Sequence, residues 1–321
     1  MDRRTVWLSS LVVLVVVLVA FFGTGYHRSI LIFAGTALAA VTGLALLVGY
    51  AGQLSLAQGA FFGLGAYGYG VLAVRFGWHP LLAAGAALLL VAVVGYVLGI
   101  PMLRLRGHFL ALGTLAFALI VIVLANEWSR LTGGPSGLLG IPGLRTQQLG
   151  GLTLRGDVQY SVLAGLLAVG SFWLFERVTN SDFGLALKAM SSSEVATQAM
   201  GVDVVRLKLL VFTLAAVLAA LGGVVFASYL NFISPSAFDV LLAIEFVVMV
   251  MLGGAASALG PLVGTVSVAV LVEVLRAVVP LIWTNVRGPI EMIALGLVLG
   301  LLMVVRPEGL VTLWRRGGRH G

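Results

Sequence analysis

The sequence predicts an all-α membrane protein, a polytopic transmembrane helical bundle with about ten membrane-crossing or re-entrant segments. Hydrophobic residues make up 60% of the 321 residues and charged residues only 10%, whereas a soluble domain carries about 25% charged residues. Such a chain cannot cover its surface with polar groups, so lipid must solvate most of it. The 42 glycines favour packed helices over a β-barrel, because a barrel would show alternating segments of about ten residues.

Apolar runs of spanning length recur along the whole chain, and a helix needs about 20 such residues to cross a bilayer. The opening "MDRRTVWLSSLVVLVVVLVAFF" resembles a signal peptide, but no cleavage site follows it and further spans do, which predicts a first transmembrane helix. The glycine-rich run 56–74 and the run 241–257 are candidates for broken or re-entrant helices. The ten runs are 6–23, 29–48, 56–74, 80–100, 109–126, 159–176, 207–230, 241–257, 260–280 and 289–305.

Basic residues predict the orientation of these spans. Ten crossings place both termini on one side, and an inside N-terminus leaves twelve basic residues inside and seven outside. Because basic residues concentrate in cytoplasmic loops, both termini are predicted to be cytoplasmic, within one transmembrane domain, 1–321. This makes 127–158 an external loop and 178–206 a cytoplasmic one, and it explains the net charge of +7 without nucleic acid. The seven outside are Arg28, Arg75, Arg130, Arg145, Arg155, Arg276 and Arg287.

The segment "GYAGQLSLAQGAFFGLGAYGYG", 49–70, combines small and polar residues. Gly59 and Gly63 form a G-x-x-x-G pair, and with Gly52 they are predicted helix-packing positions. Tight packing alone is one interpretation. An interrupted helix that lines a translocation path also explains the polar groups, because irregular backbone persists at membrane depth only beside protein or water. The polar path candidates on this segment are Gln53, Ser55, Gln58 and Tyr67.

A second glycine-rich break, "LGGAASALGPLVG" at 252–264, lies in the other half of the chain, and paired interruptions occur in transporters built from repeats. Glu245, Glu273 and Glu291 lie within or near apolar spans, where an unpaired charge costs roughly 2.5–3.5 kcal/mol. They either line a polar path, for which Glu245 and Glu291 are candidates, or pair with Arg276 or Arg287.

The sequence offers no pattern for catalysis. It contains neither H-E-x-x-H nor G-x-S-x-G, its four histidines show no ligand spacing, and it has no cysteine. Lys188 and Lys208 are its only lysines, and neither belongs to a nucleotide-binding loop. We therefore expect no metal or cofactor on this chain, and ATP-driven transport would need another chain to hydrolyse the nucleotide.

The polar stretch 181–203, "SDFGLALKAMSSSEVATQAMGVD", is predicted to form two short helices. Ser181 or Asp182 can cap the first, Ser191 and Glu194 form a capping box for the second, and Gly201 can end it. Projection at 100° per residue gives a weakly apolar face suited to a groove on a partner protein. That predicted face comprises Ala186, Ala189, Met190, Ala196, Thr197 and Met200.

Five segments together resemble the membrane subunit of ABC importers for branched-chain amino acids, over residues 30 to 310. They are "GYAGQLSLAQGAFFGLGAY", "LRLRGHFLALGTLAF", "LTGGPSGLLGIPG", "SDFGLALKAMSSSEVATQAMGVDVVRLKLLVF" and "VMLGGAASALGPLVG". The resemblance implies the ABC importer permease fold in an inner membrane and a second, homologous permease subunit. It also implies two ATPase subunits that carry ATP and Mg²⁺, and an extracytoplasmic substrate-binding protein.

In that family the loop before "VVRLKLLVF" is the coupling element that fits a cleft on the ATPase, a variant of the "EAA" loop. Val195 stands where the motif has alanine, and the glycine lies seven residues on instead of six. The resemblance assigns to this coupling loop the residues Asp182, Gly184, Ser191, Ser192, Glu194, Ala196 and Gly201.

The implied function is inward transport of leucine, isoleucine or valine by alternating access. Import of urea or short amides by the same machinery is an alternative, because those permeases look similar. A self-sufficient secondary transporter is a second alternative and an intramembrane enzyme a third. A self-sufficient carrier would need no cytoplasmic docking helix, so the coupling loop favours the importer.

Overall fold

The computed structural model describes residues 18–282 apart from 22, 106 and 145–155, together with 296 and 300. The predicted spans 6–23 and 289–305 therefore fall mostly outside the described residues. Glu291 and Arg287 also lie outside them, as do both termini and residues 145–155 of the predicted external loop.

Helices dominate the described part of the chain, which confirms the all-α class. A π-helical turn, Leu46–Tyr50, continues the first of them. Numbered in chain order, the helices are α1 (Gly25–Ala45), α2 (Gln58–Val74), α3 (Pro80–Met102), α4 (His108–Glu127), α5 (Ser129–Thr132), α6 (Gly156–Thr179), α7 (Asp182–Ser192), α8 (Glu194–Ala199), α9 (Val204–Leu230), α10 (Val240–Gly253) and α11 (Gly260–Ile282).

Seven helices in the described part are long and apolar enough to cross a membrane. They are α1 with its π-helical turn, α3, α4, α6, α9, α10 with the short helical turn Pro235–Phe238 before it, and α11. The 17-residue α2 runs in the same bundle but is shorter. A polytopic helical membrane protein is thus confirmed, and ten crossings was a rough count.

Helix α9 is the central element of the bundle, and it packs against α1, α2 and α3. Asp203 begins it by accepting a hydrogen bond from the backbone N–H of Arg206 at 3.0 Å, and Asn231 ends it in a left-handed conformation. Its 27 residues span about 40 Å at 1.5 Å per residue. We call the end at Val204 the loop end, because α7 and α8 lie there, and the end at Leu230 the ribbon end.

Small residues bring the helices into close contact. A Cβ atom on Gly222 of α9 would lie 2.5 Å from the carbonyl oxygen of Thr36 in α1, and one on Gly35 would lie 2.7 Å from that of Ala164 in α6. A Cβ atom on Gly65 of α2 would clash with the backbone of Ala220 in α9. Close approach of backbones is the usual source of helix association in lipid, which explains the glycine content of the sequence.

The ribbon end is closed by a short antiparallel ribbon, in which Leu138 pairs with Ile233 and Leu139 with Phe232. The side-chain amide of Asn231 donates to the carbonyl oxygen of Ile141 at 2.7 Å. The described part of the loop 127–158 therefore forms an ordered cap, although its sequence contains mostly turn residues.

Candidate functional site

The glycine-rich segment 49–70 contains a break between two helices, not an interruption within one. Helix α1 ends in the π-helical turn, residues 51–57 are not helical, and α2 then runs without interruption from Gln58 to Val74. The break thus precedes the glycine cluster that suggested a broken helix over 56–74. The second break also separates two helices, since α10 ends at Gly253 and α11 begins at Gly260.

The break lies deep in the bundle. The side-chain amide of Gln58 donates to the carbonyl oxygens of Ala40 in α1, at 2.8 Å, and of Ala215 in α9, at 3.0 Å. Ala40 precedes Tyr50 by ten residues, so it lies about 15 Å from the loop end of α1 at 1.5 Å per residue. The chain therefore returns from Tyr50 into the bundle before α2 starts, and Gln58 fastens that start to two helices.

Irregular backbone at this depth needs hydrogen-bond partners, and side chains supply some of them. The backbone N–H of Leu56 donates to the hydroxyl of Thr114 in α4 at 2.9 Å, and that of Ala57 donates to the Ser55 hydroxyl at 3.3 Å. Residues 51, 53, 55 and 57 are buried, whereas Gly52 is exposed and Leu54 is 40% exposed. One side of the break thus packs into the bundle and the other is open.

Two of the predicted path residues carry buried polar atoms without partners. The side-chain oxygen Oε1 of Gln53 and the hydroxyl of Tyr67 find no hydrogen-bond partner among the described residues. The ring of Tyr67 packs against Phe238, with centroids 5.7 Å apart, and so lies towards the ribbon end. The structure therefore brings Gln53, Ser55 and Gln58 together at the break and places Tyr67 apart from them.

The three predicted packing glycines have different surroundings. A Cβ atom on Gly59 would lie 3.1 Å from the backbone nitrogen of Ala243 in α10, and one on Gly63 would lie 3.0 Å from the Cβ of Phe238. Gly52 is not in a helix, so its assignment as a helix-packing glycine is wrong. It has a φ of +64° in the break, and a Cβ atom there would lie 3.5 Å from that of Ser191 in α7.

The α7–α8 segment, 181–203, lies directly against this break. The ammonium of Lys188 lies 5.0 Å from the centroid of the Tyr50 ring. Tyr50 in turn packs edge-on against Phe175 of α6, with centroids 5.6 Å apart. Leu187 and Met190 of α7 are buried. The α7–α8 segment is therefore packed against the last turn of α1.

Both short helices are present, but the second begins with a different cap from the predicted one. Ser181 caps α7 by accepting from the N–H of Gly184 at 3.4 Å, as predicted. Ser193, not Ser191, caps α8 by accepting from the N–H of Ala196 at 3.2 Å. Ser191 and Ser192 still belong to α7, and Ser193 has the extended backbone that an N-cap needs.

Further positions assigned to the coupling loop have identifiable local roles. Asp182 lies in the first turn of α7, where a negative charge suits the helix dipole. Gly184 fits tightly, since a Cβ atom there would clash with the carbonyl oxygen of Val178. Gly201 follows α8 with a φ of +84°, in agreement with the predicted end of that helix.

Glu194 contacts helix α9 of the bundle. Its carboxylate forms an ion pair with the ammonium of Lys208 in α9, whose side chain is 11% exposed. The predicted apolar face is wrong, because Met190 and Thr197 are buried while Ala196 is exposed. The exposed large apolar side chains of the α7–α8 segment are Leu185, Val195 at 78% and Met200 at 85%, and of these Met200 belongs to the predicted face.

The two described glutamates of the predicted set in the second half of the chain, Glu245 and Glu273, have different surroundings. Glu273 forms an ion pair with Arg276 at 3.3 Å, one of the two partners that the sequence offered. Glu245 has no ion pair among the described residues and lines a cavity that also contains Glu273 and Arg276. Sequence reasoning missed Thr114, whose hydroxyl supports the break, because a single threonine in an apolar run carries no pattern.

A polytopic helical bundle in which an irregular segment runs between two helices is an architecture that membrane transport proteins use. The model of the family described as "Branched-chain amino acid transport system / permease component" matches residues 26–306, and the chain belongs to this family. It is thus a permease component of a transport system.

Similar proteins carry corresponding names. The chain is 33% identical to the high-affinity branched-chain amino acid transport system permease protein LivM of Escherichia coli K12, and 32% identical to that of Salmonella typhimurium LT2. Each match covers 85% of this chain and 67% of the relative. A probable branched-chain amino acid transport permease protein LivM of Methanocaldococcus jannaschii is 26% identical, over 73% of this chain and 70% of that protein. No solved structure matches the chain.

Proposed function

We propose that this chain is one membrane subunit of an ATP-driven importer that moves leucine, isoleucine and valine into the cytoplasm by alternating access. It works with a second permease subunit, two ATPase subunits that bind ATP and Mg²⁺, and an extracytoplasmic binding protein, in an inner membrane. The family and the names of the relatives support the substrate class.

The observation that carries the coupling part of this proposal is the α7–α8 segment. Its inner side is fixed by buried Leu187 and by the ion pair of Glu194 with Lys208. Its outer side exposes Val195 and Met200, large apolar residues on a segment whose sequence is too polar to lie in lipid. Apolar anchors on a short helix suit a groove on another protein, and we assign that groove to the ATPase.

The contact between this segment and the break gives a route for coupling. When the ATPase pair closes around nucleotide, it displaces the docked α7–α8 segment. Because Lys188 and Ser191 lie against Tyr50 and Gly52, that displacement reaches the break, and with it the exposed side of residues 51–57. An ATP-dependent movement there would change access to the path, as alternating access requires.

Crosslinking in the assembled complex tests the docking. The sequence has no cysteine, so Val195→Cys, Gln198→Cys and Met200→Cys give no background from this chain. We expect each to crosslink to cysteines around the ATPase cleft in a nucleotide-dependent way. Leu139→Cys, exposed at the ribbon end, is the matched control and should not. Absence of crosslinks from all three in every nucleotide state would contradict the proposal.

Transport assays separate the alternatives. Leucine uptake by proteoliposomes that contain the full complex should require ATP and the binding protein. Uptake driven by an ion gradient without ATPase subunits would indicate a secondary transporter. Uptake of urea in preference to leucine would indicate the amide importer.

A further inference from the structure

Apart from the break, the bundle contains a candidate ligand site, a cavity lined mainly by α1, α10 and α11, with Phe62 of α2 and Phe226 of α9. Its volume is about 270 Å³, just below the roughly 300–1,000 Å³ of sites for drug-sized ligands, so it suits a small solute. The lining residues of α11 include Thr265, Ala269, Glu273 and Arg276, which share one face of the helix at spacings of four, four and three. The cavity therefore follows about 16 Å of α11 at 1.5 Å per residue.

The exposure of the side chains on this face of α11 decreases from Arg276 to Thr265. The Arg276 side chain is 56% exposed, whereas Thr265 is only 2% exposed. Tyr26 of α1 donates a hydrogen bond to Glu273 beside Arg276, at the ribbon end of the bundle. The cavity thus opens near Arg276 and becomes buried towards Thr265.

The polar groups in the cavity leave hydrogen-bonding capacity for a ligand. Arg276 has five N–H donors, and its ion pair with Glu273 uses one of its terminal nitrogens. Glu245 has neither a hydrogen bond nor an ion pair within the described ranges, and the buried hydroxyl of Thr265 has no partner there either. A carboxylate that has no partner among the described residues and lies in an apolar helix is costly, which points to a cation that visits it.

The walls beside Glu245 are apolar and fit a branched aliphatic group. Phe62, Phe226, Phe246 and Met249 line the cavity, and Met249 lies one helical turn beyond Glu245 on the same face of α10. Aromatic and thioether side chains can pack around an aliphatic group of irregular shape. Few convergent polar groups in an apolar cavity are the usual composition of a small-molecule site.

We propose that this cavity binds the transported amino acid within this subunit. Glu245 accepts the α-ammonium group and the Phe62–Phe246–Met249 wall holds the branched side chain, while Arg276 attracts the α-carboxylate as the amino acid enters at the mouth. This inference rests on the proposed function, and it adds a substrate site on the permease to the one on the binding protein.

Thiol protection tests the site without any need for transport. In the assembled complex without nucleotide, Ala269→Cys places a thiol in the cavity wall, and a maleimide should label it. We expect leucine to slow the labelling. The compound 4-methylpentanoate is leucine without the ammonium group, and it should protect the thiol at least about tenfold less well. A tenfold difference in binding corresponds to the loss of one charge-assisted hydrogen bond. In the double variant Ala269→Cys, Glu245→Gln, leucine and 4-methylpentanoate should protect the thiol equally. Equal protection by both compounds would mean an apolar occupant such as a lipid chain and would overturn the inference.

Uptake of leucine and of alanine gives a second readout, with Glu127→Gln, at the ribbon end of α4, as the matched control. Glu245→Gln should lower leucine uptake about tenfold while ATP hydrolysis stimulated by the binding protein persists, and Glu127→Gln should have no effect. Ala269→Phe should lower leucine uptake more than alanine uptake, because the larger side chain fills the part of the cavity that holds the branched group. If the wild-type complex moves leucine and neither cavity variant alters uptake, the site is wrong and the importer stands. If leucine protects the thiol of Ala269→Cys but the wild-type complex moves no leucine, the proposed import function is wrong and the proposed site stands.

Discussion

The ammonium of Lys188 lies over the ring of Tyr50, 5.0 Å from its centroid. Lys188 belongs to the short helix α7, and Tyr50 is the last residue of the π-helical turn that ends α1. The contact therefore joins the surface segment proposed to meet the ATPase to the start of the break at residues 51–57. Cation–π contacts contribute about 0.5–2 kcal/mol, which suits a contact that must yield during a transport cycle.

Tyr50→Leu should uncouple ATP hydrolysis from uptake. The substitution keeps an apolar side chain against Phe175 but removes the ring under Lys188. We expect a several-fold fall in leucine uptake per ATP hydrolysed, with normal insertion, measured on the reconstituted complex. Tyr96→Leu is the matched control, since Tyr96 is an exposed tyrosine of α3. Equal uptake per ATP in Tyr50→Leu and the wild type would show that the contact plays no part in coupling.

Replacing Gly59 or Gly63 by leucine should lower transport while the protein still inserts. Both glycines face protein, because an added Cβ atom would lie 3.1 Å from Ala243 in the first case and 3.0 Å from Phe238 in the second. A leucine at either position would therefore force α2 away from its neighbours, and overpacking of this kind costs about 1–3 kcal/mol. Thermal unfolding in detergent and uptake in proteoliposomes measure the two effects. Gly85→Leu in α3, where a Cβ atom meets nothing within 4 Å, should leave both unchanged.

These two predictions differ in how far the sequence alone could support them. The pair Gly59 and Gly63 follows from helical spacing, and the apolar runs predict most of the long helices but not their exact number. The contact between Lys188 and Tyr50 joins residues 138 positions apart and has no local pattern. The cap of α8 was missed for another reason: three consecutive serines offer three registers, and no local pattern decides which serine leaves the helix.

The ion pair of Glu194 with Lys208 should hold α8 against α9. Because Glu194 is 41% exposed, we expect the pair to contribute at most about 1 kcal/mol. Lys208→Glu alone should loosen α8 and lower coupled ATP hydrolysis, since it places two carboxylates together. The double exchange, Glu194→Lys with Lys208→Glu, should restore a large part of the lost hydrolysis. Failure of the double exchange to improve on the single one would mean that Glu194 acts on the ATPase directly.

The orientation predicted from the basic residues places both termini and the α7–α8 segment in the cytoplasm. Reporter fusions should therefore place residue 190 inside and residue 139 outside. Helix α9 runs unbroken between the loop end and the ribbon end, so the two positions must lie on opposite sides. A fusion that placed residue 190 outside would invert the whole arrangement and exclude docking of an ATPase on α8.

Ser193→Ala should destabilise α8, and Ser191→Ala should not. The Ser193 hydroxyl accepts the hydrogen bond from the N–H of Ala196, and loss of such a cap costs about 1 kcal/mol. The Ser191 hydroxyl donates only to the carbonyl oxygen of Lys188 within α7, so its removal leaves the cap of α8 intact and provides the matched control. Hydrogen exchange of the amides of 196–199 should accelerate on the order of fivefold in Ser193→Ala. Crosslinking from Val195→Cys to the ATPase should weaken in parallel, because a frayed helix presents its apolar residues in many orientations. Faster hydrogen exchange in Ser191→Ala than in Ser193→Ala would show that Ser191 caps α8, as the capping-box pattern predicts.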